Sequence, residues 1–240
     1  MDLTRTARRA LPRWKGRQIA AVLFDLDGTL LDTAADIALA LNRAVAELGW
    51  APVPEVQVRT MIGRGAPMLI RRVALAQQRA LEEPDLAALT ERFFHHYGAL
   101  QESDEATARP FAAVPETLQE LHAGGLRLAI VTNKQRRFAQ SLMRRLRLDA
   151  WIDCIVGGDS CEHRKPDREP LLFARHSLRV PSSESLMVGD SITDVQSARA
   201  AGIPVICVTY GYNEGLDPRA LPCDALVESL AQLPALLLGR

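Results

Sequence analysis

The chain has 240 residues, 48% of them hydrophobic and 24% charged, which allows one sizeable core together with a small accessory domain. Lys+Arg and Asp+Glu balance at 29 each, so the overall charge gives no reason to expect a nucleic acid or a membrane as partner. No apolar run is long enough to span a membrane. The four cysteines lie at no metal-like spacing, and we expect reduced thiols in a cytoplasmic protein.

Residues 1–18 are basic but lack the apolar segment of a secretory signal, so we expect a disordered N-terminal extension. A transit peptide and an early-assigned start codon are the alternatives. Lysine is rare in this chain and occurs only at Lys15, Lys134 and Lys165. In so arginine-rich a chain, a lysine can indicate a position that needs a compact ammonium, which a guanidinium does not mimic. For Lys15 we favour a chance occurrence.

The first predicted strand covers residues 19–24, a continuous apolar run of the kind that is buried on both faces of a sheet. It leads into the acidic turn 25–32. A helix is predicted to begin near Thr33, whose spacing to Asp36 is that of a capping box.

From residue 53 to residue 108 the pattern is helical, with breaks at 63–65 and at Pro84. Beyond Pro110 strands and helices alternate. The predicted strands there are 126–131, 152–156, 186–188 and 204–208, the last of which we expect to be the final parallel strand. The predicted helices are those that open at Val114 and cover 136–147, 168–179, 192–201 and 228–237.

This alternation predicts an α/β fold, a doubly wound parallel sheet with a Rossmann-like core. The core is expected to comprise residues 19–32 and 109–240. The all-helical stretch 33–108 is then a small helical cap domain inserted after the first strand. Ligands bind such sheets beyond the carboxyl ends of the strands, where the strand order reverses.

Two acids end the first predicted strand. Asp25 and Asp27 lie two residues apart, so their carboxylates are expected on one side of the backbone. They repel each other unless a cation or a proton intervenes, and Gly28 allows a tight turn with close ligand approach. The alternative is an Asp-Gly turn with incidental acids.

Polar residues also end the next strand. Thr132 and Asn133 precede a helix, whose N-terminal amides together with a hydroxyl form a natural phosphate cradle, although both residue types also favour plain helix capping. Lys165 stands before Pro166, which fixes the backbone that presents this cation. A solvated surface lysine is the alternative there.

A second pair of acids follows the predicted strand 186–188. Asp190 and Asp194 are four residues apart, so both can face one site. Carboxylates are the ligands that a hard cation such as Mg²⁺ prefers. Asp194 could instead serve only the dipole of the helix that it opens.

Together these segments resemble the four motifs of the haloacid dehalogenase-like hydrolase superfamily. The motifs are 25–30 (DLDGTL), 132–133 (TN), 165–166 (KP) and 189–194 (GDSITD). The resemblance covers about residues 19–237, and residues 33–108 resemble the helical cap of that family. It implies a phosphatase for a small phosphoester.

The resemblance also implies roles for the acids. Asp25 would attack phosphorus and become an aspartyl-phosphate, while Asp27 would protonate the leaving alkoxide and then activate water. Mg²⁺, with Mn²⁺ as a substitute, would be held by Asp25, the backbone carbonyl of Asp27 and Asp190. Asp194 would orient Lys165 or a metal-bound water.

Thr132, Asn133 and Lys165 would hold the phosphoryl oxygens by the same resemblance. Segments 62–65, 165–172 and 209–215 are most similar to the members that hydrolyse 2-phosphoglycolate. Arg168 departs from that pattern, because proline is expected there.

Other reactions of the family fit the sequence less well. Its dehalogenases lack the acid equivalent to Asp27, and its phosphonoacetaldehyde hydrolases need a cap lysine, whereas 33–108 contains none. Its sugar phosphate mutases have a histidine where this chain has Ile37. A phosphatase for a sugar phosphate or nucleoside monophosphate and a non-enzymatic scaffold remain the alternatives.

Arg64 lies in a glycine-flanked cap loop and is our candidate for binding the substrate carboxylate; a surface charge is the alternative. For quaternary structure we expect a monomer or a homodimer.

Overall fold

The computed structural model describes residues 12–239. Ten strands are found there, in chain order β1 Arg13–Trp14, β2 Arg17–Gln18, β3 Ala21–Phe24, β4 Leu31–Asp32, β5 Arg109–Pro110, β6 Arg127–Val131, β7 Cys154–Val156, β8 Ser185–Gly189, β9 Val205–Val208 and β10 Ala225–Val227. The α-helices of this part of the chain are α1 Ala34–Ala46, α2 Glu55–Arg59, α3 Ala66–Ala76, α4 Glu83–Gln101, α5 Val114–Ala123, α6 Arg136–Arg145, α7 Glu169–Leu178, α8 Ile192–Ala200 and α9 Gln232–Leu238.

Six strands form one parallel sheet in the order β10-β9-β8-β3-β6-β7. From β3 the chain runs outward through β6 and β7, then crosses to β8 on the other side of β3 and continues to β9 and β10. This reversal at β3 confirms the doubly wound, Rossmann-like fold. The prediction that 204–208 is the last parallel strand is wrong, because β10 pairs in parallel with β9 through Leu226 and Cys207.

The central strand β3 is apolar along its whole length because both of its faces are covered. Val22 and Phe24 belong to an apolar cluster that includes residues of α5, α6 and α9. Ala21 and Leu23 belong to a second cluster, which contains residues of α7 and α8. Successive side chains point to opposite faces of a strand, so a strand between two helical layers must be apolar at every position.

Helices α1 to α4 lie between β4 and β5 and bury an apolar cluster that also includes Phe138 and Tyr212 from outside this stretch. Leu41 and Val45 of α1 belong to this cluster with Leu89 and Phe93 of α4. Their spacing of four residues on each helix turns one face of α1 and one face of α4 inward. We call residues 33–108 the helical insert.

The two ends of the helical insert lie side by side. Strands β4 and β5 pair in an antiparallel way, with Asp32 opposite Arg109. The Asp36 carboxylate accepts hydrogen bonds from the Thr107 backbone N–H and hydroxyl, both at 2.7 Å, and from the Ala108 N–H at 3.2 Å. The spacing of Thr33 and Asp36 therefore does not form a capping box, since Asp36 binds the returning chain.

The expectation of a disordered N-terminal extension does not hold for residues 12–18. Strands β1 and β2 form a hairpin whose turn consists of Lys15 and Gly16, with φ of 48° and 80°. Trp14 is 6% exposed and packs in the main apolar cluster. Residues 1–11, which carry the rest of that prediction, lie outside the described residues.

Candidate active site

The first two acids lie at the carboxyl end of β3. The Asp25 backbone N–H still donates to Val188 O at 2.9 Å, so it continues the ladder with β8. The turn that follows needs glycine at position 28. Its φ is 87°, and a Cβ there would lie 2.5 Å from Oδ2 of Asp190. The turn therefore brings the backbone after Asp27 close to the carboxylate of Asp190.

Lys165 joins Asp25 to Asp194. Its Nζ lies 2.9 Å from Asp25 Oδ1 and 2.7 Å from Asp194 Oδ1, and the lysine side chain is 1% exposed. Burial alone would lower the pKa of Lys165, but the charges of Asp194 and Asp25 outweigh burial and raise it. Lys165 is therefore a charged ammonium held between two carboxylates.

Asp194 is fixed by its own helix. Its Oδ2 accepts from the Asp190 and Ser191 backbone N–H groups, at 3.2 and 3.1 Å, and from the Ser191 hydroxyl at 2.8 Å. Ser191 and Asp194 form a complete capping box at the start of α8. Asp194 therefore both caps α8 and positions Lys165.

Asp190 is held by the loop that follows β9. Its Oδ2 accepts from the backbone N–H groups of Tyr212 and Asn213, at 2.7 and 3.1 Å. Its Oδ1 accepts from the Thr29 hydroxyl at 3.2 Å. These bonds fix both carboxylate oxygens of Asp190, a residue that is only 2% exposed.

Three buried acids converge at this point. Carboxylate oxygens of Asp25, Asp190 and Asp194 lie within 4.8 Å of one another. Burial is the main cause that raises the pKa of Asp25, to about 7, with Lys165 opposing it and Asp194 adding to it. Burial, followed by the charges of Asp194 and Asp25, also raises the pKa of Asp190. Closely spaced oxygen ligands that repel one another fit a hard divalent cation.

Asp27 is not part of this cluster and has a lysine of its own. Lys134 Nζ lies 2.9 Å from each carboxylate oxygen of Asp27, and the Thr33 hydroxyl donates to Oδ1 at 2.6 Å. The Lys134 side chain is 7% exposed and lies over the Tyr97 ring, 4.7 Å from its centroid. Burial opposes charge on Lys134, but Asp27 and then Tyr97 outweigh it, so its pKa is raised.

Sequence reasoning did not assign Lys134 to the site. The signal that pointed towards it was the scarcity of lysine, since the other two lysines are Lys15 and Lys165. Lys134 follows Asn133 directly, but its distance of 107 residues from Asp27 hides the contact.

Thr132 and Asn133 lie at the carboxyl end of β6 and are 3% and 8% exposed. The Thr132 hydroxyl accepts from the Lys134 N–H at 3.2 Å. The Asn133 side-chain N–H₂ donates to Lys165 O at 2.9 Å and to Gly63 O at 3.0 Å. Asn133 thus ties the core to the helical insert. Its buried Oδ1 has no hydrogen-bond partner among the described residues, which leaves an acceptor for a ligand.

A cavity of about 60 Å³ lies between the core and the helical insert. Asp25, Asp27, Thr132, Asn133 and Lys134 line its core side. The apolar wall is formed by Ile37, Ile62, Leu69, Phe93, Phe94, Tyr97 and Phe138.

Gly63 and Gly65 line this cavity, but the arginine between them points elsewhere. Arg64 Nε donates to Glu214 Oε2 at 3.1 Å, and the Arg64 side chain is 37% exposed. Arg164, which sequence reasoning did not assign, lines the cavity instead.

Among residues 12–239, none of the helices is long and apolar enough to cross a membrane.

Known proteins resemble this chain over most of its length. The family model described as haloacid dehalogenase-like hydrolase matches residues 22–208. The chain is 42% identical over 219 residues to a phosphoglycolate phosphatase of Nitrosospira multiformis, covering 91% of this chain and 96% of that protein. It is 45% identical over 219 residues to a plasmid-encoded phosphoglycolate phosphatase of Cupriavidus necator, covering 90% and 92%.

A solved structure has the same architecture. The crystal structure of a predicted phosphoglycolate phosphatase from Haemophilus somnus 129pt superposes with a TM-score of 0.82 at 30% identity. The match covers 90% of this chain and 96% of that one.

Proposed function

The chain belongs to the haloacid dehalogenase-like hydrolases, and we propose that it hydrolyses 2-phosphoglycolate to glycolate and inorganic phosphate. The pair of aspartates after β3 is the observation that best supports this type of reaction. Both line one cavity, and each has its own buried lysine. The substrate rests on the names of the relatives and on the small size of the cavity.

Asp25 is the proposed nucleophile. A bond forms between its carboxylate oxygen and phosphorus while the bond from phosphorus to the glycolate oxygen breaks, which leaves an aspartyl-phosphate. Lys165 fixes the carboxylate through Oδ1. Thr132 and Asn133 line the same cavity as Asp25 and are proposed to bind the phosphoryl oxygens.

Asp27 is proposed to move the protons. Its carboxyl group protonates the leaving alkoxide and later removes a proton from the water that attacks the aspartyl-phosphate. Lys134 and Thr33 hold this carboxylate at its two oxygens. These contacts fix the Asp27 carboxylate at the cavity, outside the three-acid cluster.

The oxygen donors present suit Mg²⁺, and Mn²⁺ shares these preferences. Asp25, Asp190 and the predicted Asp27 carbonyl would hold the ion. When bound, it offsets the repulsion between the Asp25 carboxylate and the phosphate dianion. Asp194 is already engaged by Lys165 and by the N-terminus of α8, so we assign it to positioning.

The helical insert is proposed to act as a cap that opens and closes over the cavity. It joins the core through the adjacent strands β4 and β5, which form a compact pair of connectors. Closure would exclude bulk water while phosphate is transferred, and opening would release product.

A panel of phosphorylated metabolites compared by kcat/KM tests this proposal. We expect 2-phosphoglycolate to give the highest value with Mg²⁺ present. A higher value for a sugar phosphate or nucleoside monophosphate would favour the alternative phosphatase. No turnover of any phosphoester would favour a scaffold.

Cytoplasmic location and a monomeric or homodimeric state stay predictions. Light scattering of the purified protein tests the second of them.

A further inference from the structure

We propose that Arg164 binds the carboxylate of the substrate. This inference rests on the proposed function, because it assigns the residue that recognises the part of 2-phosphoglycolate that is not transferred. It places carboxylate recognition in the core, on the residue before Lys165, and not on the cap loop.

The position of Arg164 favours this role. Arg164 lines the same cavity as Asp25 and Asp27. Its neighbour in sequence, Lys165, contacts the proposed nucleophile at 2.9 Å. A group bound by Arg164 is therefore held close to the phosphoryl end of the same small cavity, as the two ends of a short phosphoester require.

Arg164 also differs from the two site lysines in its charge pairing. Lys134 is paired with Asp27, and Lys165 is paired with Asp25 and Asp194. For Arg164, which also borders the cavity, residues 12–239 provide no carboxylate within ion-pair distance. The remaining wall is largely apolar and cannot compensate a carboxylate for the water it loses on binding. An unpaired guanidinium supplies that compensation and matches a carboxylate with two parallel hydrogen bonds.

The guanidinium of Arg164 is already oriented by the core. Arg164 Nε donates to Gly158 O at 2.8 Å, and the Gly158 N–H donates to Lys134 O at 2.8 Å. Nη1 lies near the cap loop, 3.5 Å from where a Cβ of Gly65 would be. The Nε contact leaves the terminal N–H groups for a ligand, so little side-chain freedom is lost on binding.

Arg64 is the competing candidate, and its contacts argue against it. Glu214, whose side chain is 5% exposed, binds both Arg64 and Arg72. A substrate carboxylate at Arg64 would have to compete with this buried acid. The charge of Arg64 is thus already neutralised, whereas that of Arg164 is not.

The test compares 2-phosphoglycolate with ethyl phosphate, which is of similar size but has no carboxylate. Arg164→Ala should lower kcat/KM for 2-phosphoglycolate by roughly 10- to 150-fold, the effect of one charged hydrogen bond, chiefly through KM. Ethyl phosphate should change by less than about 3-fold. Arg164→Gln should lower kcat/KM for 2-phosphoglycolate to a similar extent, although its side-chain amide keeps an N–H donor for Gly158 O. Arg168→Ala, at an exposed arginine of the same loop, is the control and should leave both substrates unaffected.

Inhibition by inorganic phosphate is the second measurement. It should be unchanged in Arg164→Ala, because the lost contact is to the carboxylate. Weaker phosphate inhibition, equal losses on both substrates, or a selective loss in Arg64→Ala in place of Arg164→Ala would overturn the inference.

Failure of the proposed function is seen separately, in the wild-type protein. If the wild type does not prefer 2-phosphoglycolate to ethyl phosphate, the substrate assignment fails and the inference fails with it. If the wild type shows this preference and Arg164→Ala retains it, only the inference fails.

Discussion

Lys134 holds both carboxylate oxygens of Asp27 at 2.9 Å, and this contact separates Asp27 from the neighbouring acids. Asp25, two residues earlier, contacts Lys165 instead. Two aspartates at the end of one strand are thus directed to two different lysines. This arrangement suits two different roles, with Asp25 in the three-acid cluster and Asp27 outside it.

Lys134→Met should lower kcat by roughly 10- to 150-fold, because Asp27 loses a buried charged hydrogen-bond partner worth about 1.5–3 kcal/mol. Steady-state kinetics with 2-phosphoglycolate measures this effect. Lys15→Met is the matched control, since Lys15 is exposed and binds the backbone of Asp224. A kcat of Lys134→Met equal to that of the control would show that Lys134 does not position Asp27.

Magnesium should stabilise the folded protein. At a concentration one hundred times its Kd, a bound ion adds about 2.7 kcal/mol to the free energy of unfolding. For a chain of this size, this corresponds to an increase of roughly 5–10 °C in Tm. Asp190→Asn should lose most of this increase. Without metal, the same variant should be at least as stable as the wild type, because one of three mutually repelling charges is gone.

The control for this experiment is Asp149→Asn, at an exposed acid remote in sequence from the three-acid cluster. It should retain the full magnesium-dependent shift in Tm. A shift as large in Asp190→Asn as in the wild type would contradict a cation site that includes Asp190.

Much of the fold could be predicted from sequence because buried parallel strands are apolar at every position. β3, β6, β8 and β9 were all predicted within two residues of their observed ends. β10, Ala225 to Val227, was missed because no α-helix separates it from β9, so it falls outside the alternation of strands and helices that indicated the other strands. The hairpin at 13–18 was missed because its arginines suggested an extension, although Lys15 and Gly16 are a plausible two-residue turn.

The acids and Lys165 could be predicted as one site because the carboxyl ends of parallel strands lie along one edge of a sheet. Contacts between loops are different, since no periodic pattern indicates them. Arg64 meets Glu214 across 150 residues of sequence, and the helical insert must dock before the two approach. The proposed roles of Lys134 and Arg164 rest on such contacts, which only the structure shows.

Glu214 should anchor the helical insert to the core. Its Oε2 accepts from Arg64 and Arg72, at 3.1 and 2.6 Å, and its Oε1 accepts from the core residue Thr193. Glu214 keeps these contacts in a left-handed backbone conformation, with φ of 50°, which is unfavourable for a residue other than glycine. Contacts on both sides must offset that cost.

Glu214→Gln should therefore lower the free energy of unfolding by about 1–3 kcal/mol, since two arginines lose their acid. Chemical denaturation measures this change, and limited proteolysis should become faster at the connectors of the insert. Glu228→Gln is the control, at an exposed glutamate outside the helical insert. An unfolding free energy equal to that of the control would rule out an anchoring role.

The phosphoryl group is proposed to pass through Asp25, and trapping the aspartyl-phosphate tests this step most directly. Asp27→Asn is mixed with 4-nitrophenyl phosphate, whose leaving group needs little assistance from an acid, and the reaction is quenched and analysed by peptide mass spectrometry. We predict a stoichiometric burst of nitrophenolate and a phosphoryl group on Asp25, because Asp27 no longer activates water. Asp25→Asn should fold, yet show neither burst nor phosphoryl group. A phosphoryl group on another residue, or near-normal turnover by Asp25→Asn, would contradict the account.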